Sequence, residues 1–485
     1  MLAIAVADAG TPWQAVAVAV WAIGEILSVV FVLRVLARGG SPATTLLWMV
    51  VIVAAPWFGL LMYYLLPRRL QLRRLRRLRL RGARVRAGRP RGARGTPGDR
   101  AAGAAGLRAL LAGADGADLQ EGNDVQWIAS GDDFYRAAAA AIAAAQYEVH
   151  CLVYIFRSDA GGLRFLDLLT AAAQRGVRVR LLFDSLGSFG LKASALAPLR
   201  EAGGRAEAFL PLFWKRRPFT VNLRNHRKLL VVDGQLGFVG GRNVGDEYFT
   251  DRLGKARRWL DAMIAVRGPA VARLQDVFFE DWCTATDEVL GEVAPTPLTV
   301  RGPCRIGVAC SGPDRDESDL WFALIQAIGE ARATIELSSP YLVPPPTLLF
   351  ALQLAAARGV RVRVHTNGPK TEAAILYHAQ RSFYGKLLAS GIELYESVED
   401  YNHSKLVVVD GRTVMVGSAN MDLRSANLNF EIAVFVLDAP QVAAQVLATM
   451  AERQRASRRI AEADLPTDPF RRAIDGFCGL LSPLL

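Results

Sequence analysis

The chain has 485 residues, 52% hydrophobic and 21% charged, with five scattered cysteines and no C-x-x-C pair. This excludes a disordered chain, a collagen and a disulfide scaffold, and leaves material for two or three structural units. The formal charge of +12 is local: 68–100 holds 14 Arg and one Asp, so the remainder is near neutral and lacks the basic footprint of a nucleic-acid binder.

Two apolar runs come first, about 13–33 and 44–66; the first carries only Glu25 and the second no charge. Each is long enough to cross a hydrocarbon core of roughly 30 Å as a helix. Trp48, Trp57, Tyr63 and Tyr64 lie towards the ends of the second run and suit the membrane interfaces. A short turn-like link, 34–43, joins the runs, so 1–66 reads as a two-helix transmembrane hairpin. A cleaved leader fits poorly, because 1–12 has no Lys or Arg. The arginine cluster behind the second run places everything after it in the cytoplasm. Segment 67–124 reads as an arginine-rich juxtamembrane piece and linker. Its Leu72, Leu75 and Leu78, at helical spacing among arginines, fit either an interfacial lipid-gripping helix or a topology anchor.

The rest of the chain is written twice. Arg175-Gly-Val-Arg-Val-Arg180 recurs letter for letter at Arg358 to Arg363, each copy after an Ala/Leu-rich stretch and before apolar residues. This predicts a helix, a glycine stop and a buried strand, twice over. Alternating strand and helix signals predict an α/β unit with helices covering a sheet. Two such units would pack about a pseudo-twofold axis.

Each copy carries H-x-K-x4-D-x6-G-x-x-N: His226, Lys228, Asp233 and Asn243 in the first, and His403, Lys405, Asp410 and Asn420 in the second. The chain has only five His and seven Lys, so two such motifs in register are a strong signal. His and Lys two apart on a strand share a face. Asp233-Gly234 and Asp410-Gly411 read as hairpin turns into a second strand. The set suits a phosphodiester: one imidazole attacks phosphorus, Lys and Asn receive the growing negative charge, and the second imidazole moves the proton. Asp233 and Asp410 differ in parity from His and Lys, so a turn-forming role stands beside a catalytic one. No metal-ligand motif is present and no cofactor is implied.

These motifs, with Asn222-Leu-Arg-Asn-His226, Gly240-Gly241-Arg-Asn243, Gly417-Ser418-Ala-Asn420, Asn429-Phe-Glu431 and the closing Leu481-Ser-Pro-Leu-Leu485, resemble the phospholipase D superfamily, and within it the bacterial cardiolipin synthases. The resemblance implies two phospholipase D-like repeats, 125–300 and 301–460, each a sheet flanked by helices, followed by a tail, 461–485. It implies a phosphohistidine intermediate, with Ser418 joining Asn243 and Asn420 at the substrate phosphate. It also implies a carboxylate some 28 residues past each motif His that orients its imidazole. Glu431 lies 28 past His403; Asp261 is the matching residue of the first copy, 35 past His226. The implied activity joins two phosphatidylglycerol molecules into cardiolipin and glycerol, with His226 as nucleophile and His403 as acid/base. The implied setting is a bacterial plasma membrane crossed more than once, with anionic lipids as partners and a cytoplasmic catalytic body. Two rivals stand beside it: a phospholipase D that passes the phosphatidyl group to water, and a non-catalytic lipid-binding scaffold.

Outside the motifs, His150 and His365 sit in apolar strand-like stretches and read as packed residues. His378 reads as packed or lining a headgroup pocket, Tyr154 and Tyr341 as core or pocket wall, and the cysteines as inert filler.

Overall fold

The computed structural model describes residues 12–37, 42–65, 106–113, 118–211, 223–249, 259–288, 290, 300–315, 318–370 and 372–481. It divides into an amino-terminal unit and a body.

In the amino-terminal unit, α1 (Pro12–Leu36) packs on α2 (Pro42–Ala54) and α3 (Pro56–Leu65). Ser28 Oγ donates to the Ile52 carbonyl at 3.2 Å, and Val35, Ile52 and Leu60 form a small shared core. The second apolar run is therefore not the single helix expected over 44–66. The chain bends at Ala55, and Pro56, which has no N–H to offer the preceding turn, opens α3. Gly59 then lies so close to Val51 and Ile52 that a Cβ would stand 2.6 Å from Ile52 Cα. Among the described residues one helix segment, Val18–Leu36, is long and apolar enough to cross a membrane. The arginine segment 68–100 lies outside the described residues.

The body is built on one long mixed sheet. In the first copy the strands are β1 (Asp118–Ile128), β2 (Glu148–Val153), β3 (Arg178–Asp184), β4 (Arg205–Phe209), β5 (Arg224–Asn225), β6 (Leu229–Val232), β7 (Leu236–Gly240), β8 (Trp259–Leu260) and β9 (Met263–Arg267). In the second they are β10 (Cys304–Ser311), β11 (Thr334–Ser338), β12 (Arg361–Asn367), β13 (Glu393–Ser397), β14 (Tyr401–Asn402), β15 (Leu406–Val409), β16 (Thr413–Gly417), β17 (Asn429–Leu437) and β18 (Ser457–Ile460). The order β9-β7-β6-β2-β3-β4 of one half repeats as β17-β16-β15-β11-β12-β13 in the other, and the antiparallel pair β1–β10 joins them at the centre. The α/β duplication expected from the repeated hexapeptide is thus present. Gly176 and Gly359 close the preceding helices in the left-handed region (φ 87° and 86°), and β3 and β12 start two residues later.

Each half buries one large apolar cluster between helices and sheet, centred on Phe134, Phe165, Leu169 and Phe238 in the first and on Leu324, Leu352, Phe435 and Leu387 in the second. A helix on each side crosses between halves: Ala270–Thr286 also touches β10, and Pro440–Arg455 also touches β1. The linker expected over 67–124 ends earlier than sequence suggests. Leu107–Gly113 is a helix whose Leu107 and Leu111 join the second core, and β1 already begins at Asp118. The carboxyl-terminal tail carries a helix, Pro469–Leu480, held on the helix Ala374–Ala389.

Candidate active site

The two motifs meet where each half lends a short strand to the other. β5, just before His226, pairs with the start of β17; β14, just before His403, pairs with β8. The His226 amide donates to the Phe430 carbonyl (2.9 Å) and the His403 amide to the Leu260 carbonyl (2.8 Å). Each His-x-Lys is an extended link between a borrowed two-residue strand and a buried central strand, β6 or β15, rather than part of one long strand.

This exchange changes which carboxylate serves which imidazole. His226 Nδ1 donates to Glu431 at 3.0 and 3.1 Å, and His403 Nδ1 donates to Asp261 Oδ2 at 2.6 Å. The carboxylates orient imidazoles as expected, but crosswise: the residue 28 past His403 holds His226, and the residue 35 past His226 holds His403. The seven extra residues fall between Asn243 and Asp261, where 250–258 lie outside the described residues.

The charge states follow from burial. Both imidazoles are buried, which lowers their pKa; neighbouring lysines add to this, and the values fall to about 4 for His226 and about 3 for His403 despite their carboxylates. Burial works to raise Asp261, but His403 and Lys405 outweigh it and hold it at about 2; Glu431 is lowered in the same way by His226 and Lys228. An ionised carboxylate only accepts, so Nδ1 carries the proton and Nε2 keeps its lone pair. Lys228 Nζ donates to the His226 carbonyl at 2.6 Å, and Lys405 Nζ makes the same bond to His403. Burial lowers both lysines, Lys228 strongly and Lys405 to about 8. Lys405 acts on His226 and Lys228 on His403, so the two copies form one electrostatic unit.

Asn243 Oδ1 accepts the Ile155 N–H at 3.0 Å, while its buried Nδ2 and the buried Oδ1 of Asn420 have no hydrogen-bond partner.

Two expectations are corrected. Asp233 and Asp410 stand about 16 Å along the strand from their lysines. Asp233 accepts the N–H groups of Gln146, Tyr147 and Glu148, and Asp410 those of Arg332, Ala333 and Thr334, all at 2.8–2.9 Å. Both adopt φ 51° in hairpin turns with Gly234 and Gly411. They tie the turn to the start of β2 or β11, the turn-forming role that stood beside the catalytic one. Ser418 is also not at the phosphate. Its fully buried hydroxyl donates to Glu431 and accepts from the Ile432 amide, because Glu431 offers the nearest charged acceptor. The first copy has Gly241 there, where a Cβ would fall 2.2 Å from Asp261 Oδ1.

Tyr154 lines the site, its ring edge-on to His226 at 4.9 Å. Tyr341 donates or accepts a hydroxyl bond with Tyr401 (3.1 Å), whose ring stacks 6.1 Å from His403. His150, stacked on Phe278, and His365, bonded to Ser457, are packed residues as expected. His378 bonds Asp475 at 2.6 Å and pins the carboxyl-terminal helix rather than lining a headgroup pocket. All five cysteines are free, and four are buried.

Sequence reasoning missed Trp259, 5.5 Å from His403, and the part that Arg227, Arg242 and Arg453 play in fixing the carboxylate strands. Arg227 Nε donates to the Glu431 carbonyl at 3.1 Å, and Arg453 donates to the Asp261 carbonyl at 2.9 Å. Arg227 lies inside the motif, but Arg453 arrives from a distant helix that no spacing marks. Among the described residues no cluster of His, Cys, Asp or Glu is arranged to hold a metal ion.

A duplicated sheet with two crossed His–carboxylate pairs, two lysines and two amides at its centre defines a phospholipase D-like protein. The family model described as "Cardiolipin synthase, PLD-like domain" matches 139–282 and 324–453, and one described as "Phospholipase D-nuclease N-terminal" matches 26–66. The chain is 32% identical to a cardiolipin synthase of Alkalihalophilus pseudofirmus over 96% of its length and 95% of the relative's. It is 36% identical to one of Geobacillus kaustophilus, covering 74% of this chain and 72% of that one. The crystal structure of phosphatidylserine synthase from Haemophilus influenzae shares the fold, with a TM-score of 0.57 at 14% identity over 74% of this chain and 95% of that one. The chain belongs to the cardiolipin synthase family of phospholipase D-like enzymes. With the apolar helix segment Val18–Leu36, that membership makes it membrane-associated.

Proposed function

We propose that the chain is a phosphatidyltransferase that makes cardiolipin and glycerol from two phosphatidylglycerol molecules through a phosphohistidine. The observation that carries this reading is the pair of buried imidazoles, each held through Nδ1 by the other copy's carboxylate. His226 Nε2 attacks the phosphorus of the first lipid. The P–N bond forms, the P–O bond to glycerol breaks, and the glycerol oxygen takes a proton from His403 Nε2. That proton is present once the anionic phosphodiester is bound, because its charge raises the imidazole pKa. Lys228, Lys405, Asn243 and Asn420 hold the non-bridging oxygens as charge builds. The glycerol hydroxyl of a second lipid then gives its proton to His403 and attacks phosphorus, breaking the P–N bond and freeing His226. Glu431 and Asp261 fix the tautomers.

In this reading α1 and the bent pair α2–α3 form a two-arm transmembrane hairpin in a bacterial plasma membrane. The 14 arginines of 68–100 keep the following repeats, 125–300 and 301–460, in the cytoplasm beside anionic lipid. The test is purified protein in mixed micelles with phosphatidylglycerol as the only phospholipid and EDTA throughout. Mass spectrometry should find cardiolipin and glycerol, absent with His226→Ala and with His403→Ala. Phosphatidic acid as the sole product would refute the transfer and make the protein a hydrolase.

A further inference from the structure

We infer that the body has its own bilayer-docking element, the helix Pro469–Leu480, which seats the active-site mouth on an anionic lipid surface. The helix buries only one edge: Asp475 and Cys478 face the helix Ala374–Ala389, with Ile474 packed beside Cys478, Val343 and Ala379. Its other side leaves Phe470 (73%), Phe477 (63%) and Leu480 (77%) in solvent. At about 100° per residue, positions 470, 477 and 480 fall within roughly 80° of one another on one side of a helix.

An exposed stripe of two Phe and a Leu needs an occupant. The charge beside it selects one. Arg471 and Arg472 are exposed next to Phe470, whereas the one acidic residue of the helix, Asp475, is buried and bonded to His378 and Arg381. Apolar side chains flanked by arginine, with no exposed acid in the helix, suit the headgroup region of an anionic bilayer.

The position of the helix gives the contact a purpose. Its support begins just after Glu372, whose carboxylate accepts from Asn367 Nδ2 (3.3 Å) and from the Tyr401 hydroxyl (3.4 Å), and the Tyr401 ring stacks against His403. On the first-copy side, Ser188 Oγ donates to the Tyr154 carbonyl at 3.1 Å beside His226, and the next residue, Phe189, is 73% exposed. Each half therefore carries exposed apolar groups a few contacts from its histidine, and in the inferred docking a lipid headgroup reaches the histidines without its chains leaving the bilayer.

The inference rests on lipid being the substrate, so its test separates the two. Full-length protein is placed in phosphatidylglycerol nanodiscs and compared with Phe470→Ser/Phe477→Ser/Leu480→Ser and with Arg471→Glu/Arg472→Glu. Amide exchange across 469–480 should be at least about fivefold slower in the parent than in either variant. Transfer on bilayer phosphatidylglycerol should fall at least about tenfold in both variants, while turnover of monomeric short-chain phosphatidylglycerol stays unchanged and shows the site intact. Equal exchange in parent and variants overturns the docking. So does a change of sedimenting mass in the variants, which assigns the stripe to a second copy. A parent that turns over neither lipid overturns the proposed reaction instead, and the exchange data still decide the docking.

Discussion

Replacing Glu431 by Gln should silence His226 while leaving His403 untouched, although Glu431 lies in the repeat of His403. Glu431 accepts from His226 at 3.0 and 3.1 Å, from Ser425 at 2.9 Å, from Asn429 at 3.3 Å and from Ser418. All these groups aim a donor at it, which suits a carboxylate and not an amide. A Gln must turn its NH2 towards one of them. Facing His226, that NH2 forces Nδ1 to accept, so the ring proton moves to Nε2 and removes the lone pair that attacks phosphorus. Loss of an orienting carboxylate behind a catalytic histidine costs about 10⁴ in turnover in the serine-protease triad. A fall of about 10³–10⁴, or roughly 4–5.5 kcal/mol in barrier, is expected here. The chain has only five histidines, so nitrogen-15-labelled histidine gives few signals and each can be assigned by substitution. In Glu431→Gln the His226 ring should change tautomer and the His403 ring should not. Rapid quenching should lose the phosphatidyl-enzyme. A shift at His403 in place of His226, or a fall in turnover below about tenfold, would refute the crossed arrangement as the basis of catalysis.

Three further outcomes follow from the same geometry. Asp233→Ala removes the acceptor of three backbone N–H groups and should cost about 1–3 kcal/mol of stability; thermal unfolding should show it while turnover per folded molecule stays within about twofold. Gly241→Ser, which copies the second repeat into the first, drives a Cβ to 2.2 Å from Asp261 Oδ1. It should lower turnover by at least about 10² through His403, leaving the labelled His226 signal in place. Acid should destabilise the body in a defined window. His226 and His403 sit at about 4 and about 3, below the unfolded value of 6.5, so the unfolded chain takes up their protons first. Their contribution is whole above pH 6.5 and lost as pH falls through those folded values, and that of Asp261 goes between 3.8 and about 2. Urea midpoints should fall from pH 6.5 to 3, and the slope should flatten in His226→Asn/His403→Asn; an unchanged slope would count against buried neutral imidazoles.

The sequence carried the duplication because a repeated chemical need leaves repeated letters. Arg-Gly-Val-Arg-Val-Arg marks a helix stop and a strand twice, and two H-x-K motifs are improbable in a chain with five His and seven Lys. What spacing could not carry was partnership. A count of 28 or 35 residues says that a carboxylate follows a histidine, but β5 and β14 hand each histidine to the opposite half. Asp233 and Asp410 stayed ambiguous for a related reason. Their presence in both copies reflects three backbone N–H groups donated to each carboxylate at a left-handed turn, a structural demand that selects Asp as firmly as catalysis would. The bend at Ala55 escaped because an apolar run of that length reads as one helix, with Pro56 at a position a membrane helix tolerates.

The crossed pairs make the site a property of both repeats at once. Separated, each half would keep a histidine with no carboxylate and a carboxylate with no histidine, and a buried charge left uncompensated is strongly destabilising. The exchange therefore couples catalysis to the packing of the two halves, and it lets their supports diverge provided each imidazole keeps its anion. They have diverged. Glu431 is held by the side chains of Ser418, Ser425 and Asn429, whereas Asp261 relies on the Ala262 amide at 2.7 Å and on the space that Gly241 leaves open. The backbone behind Glu431 is clamped by Arg227 from the first motif, and that behind Asp261 by Arg242 together with Arg453 from the helix Pro440–Arg455. Tyr154 faces His226, while Trp259 and Tyr401 flank His403. The proposed reaction, which forms a covalent bond at one histidine and moves protons at the other, has no use for identical surroundings, and the chain supplies two unlike ones on a single symmetric frame.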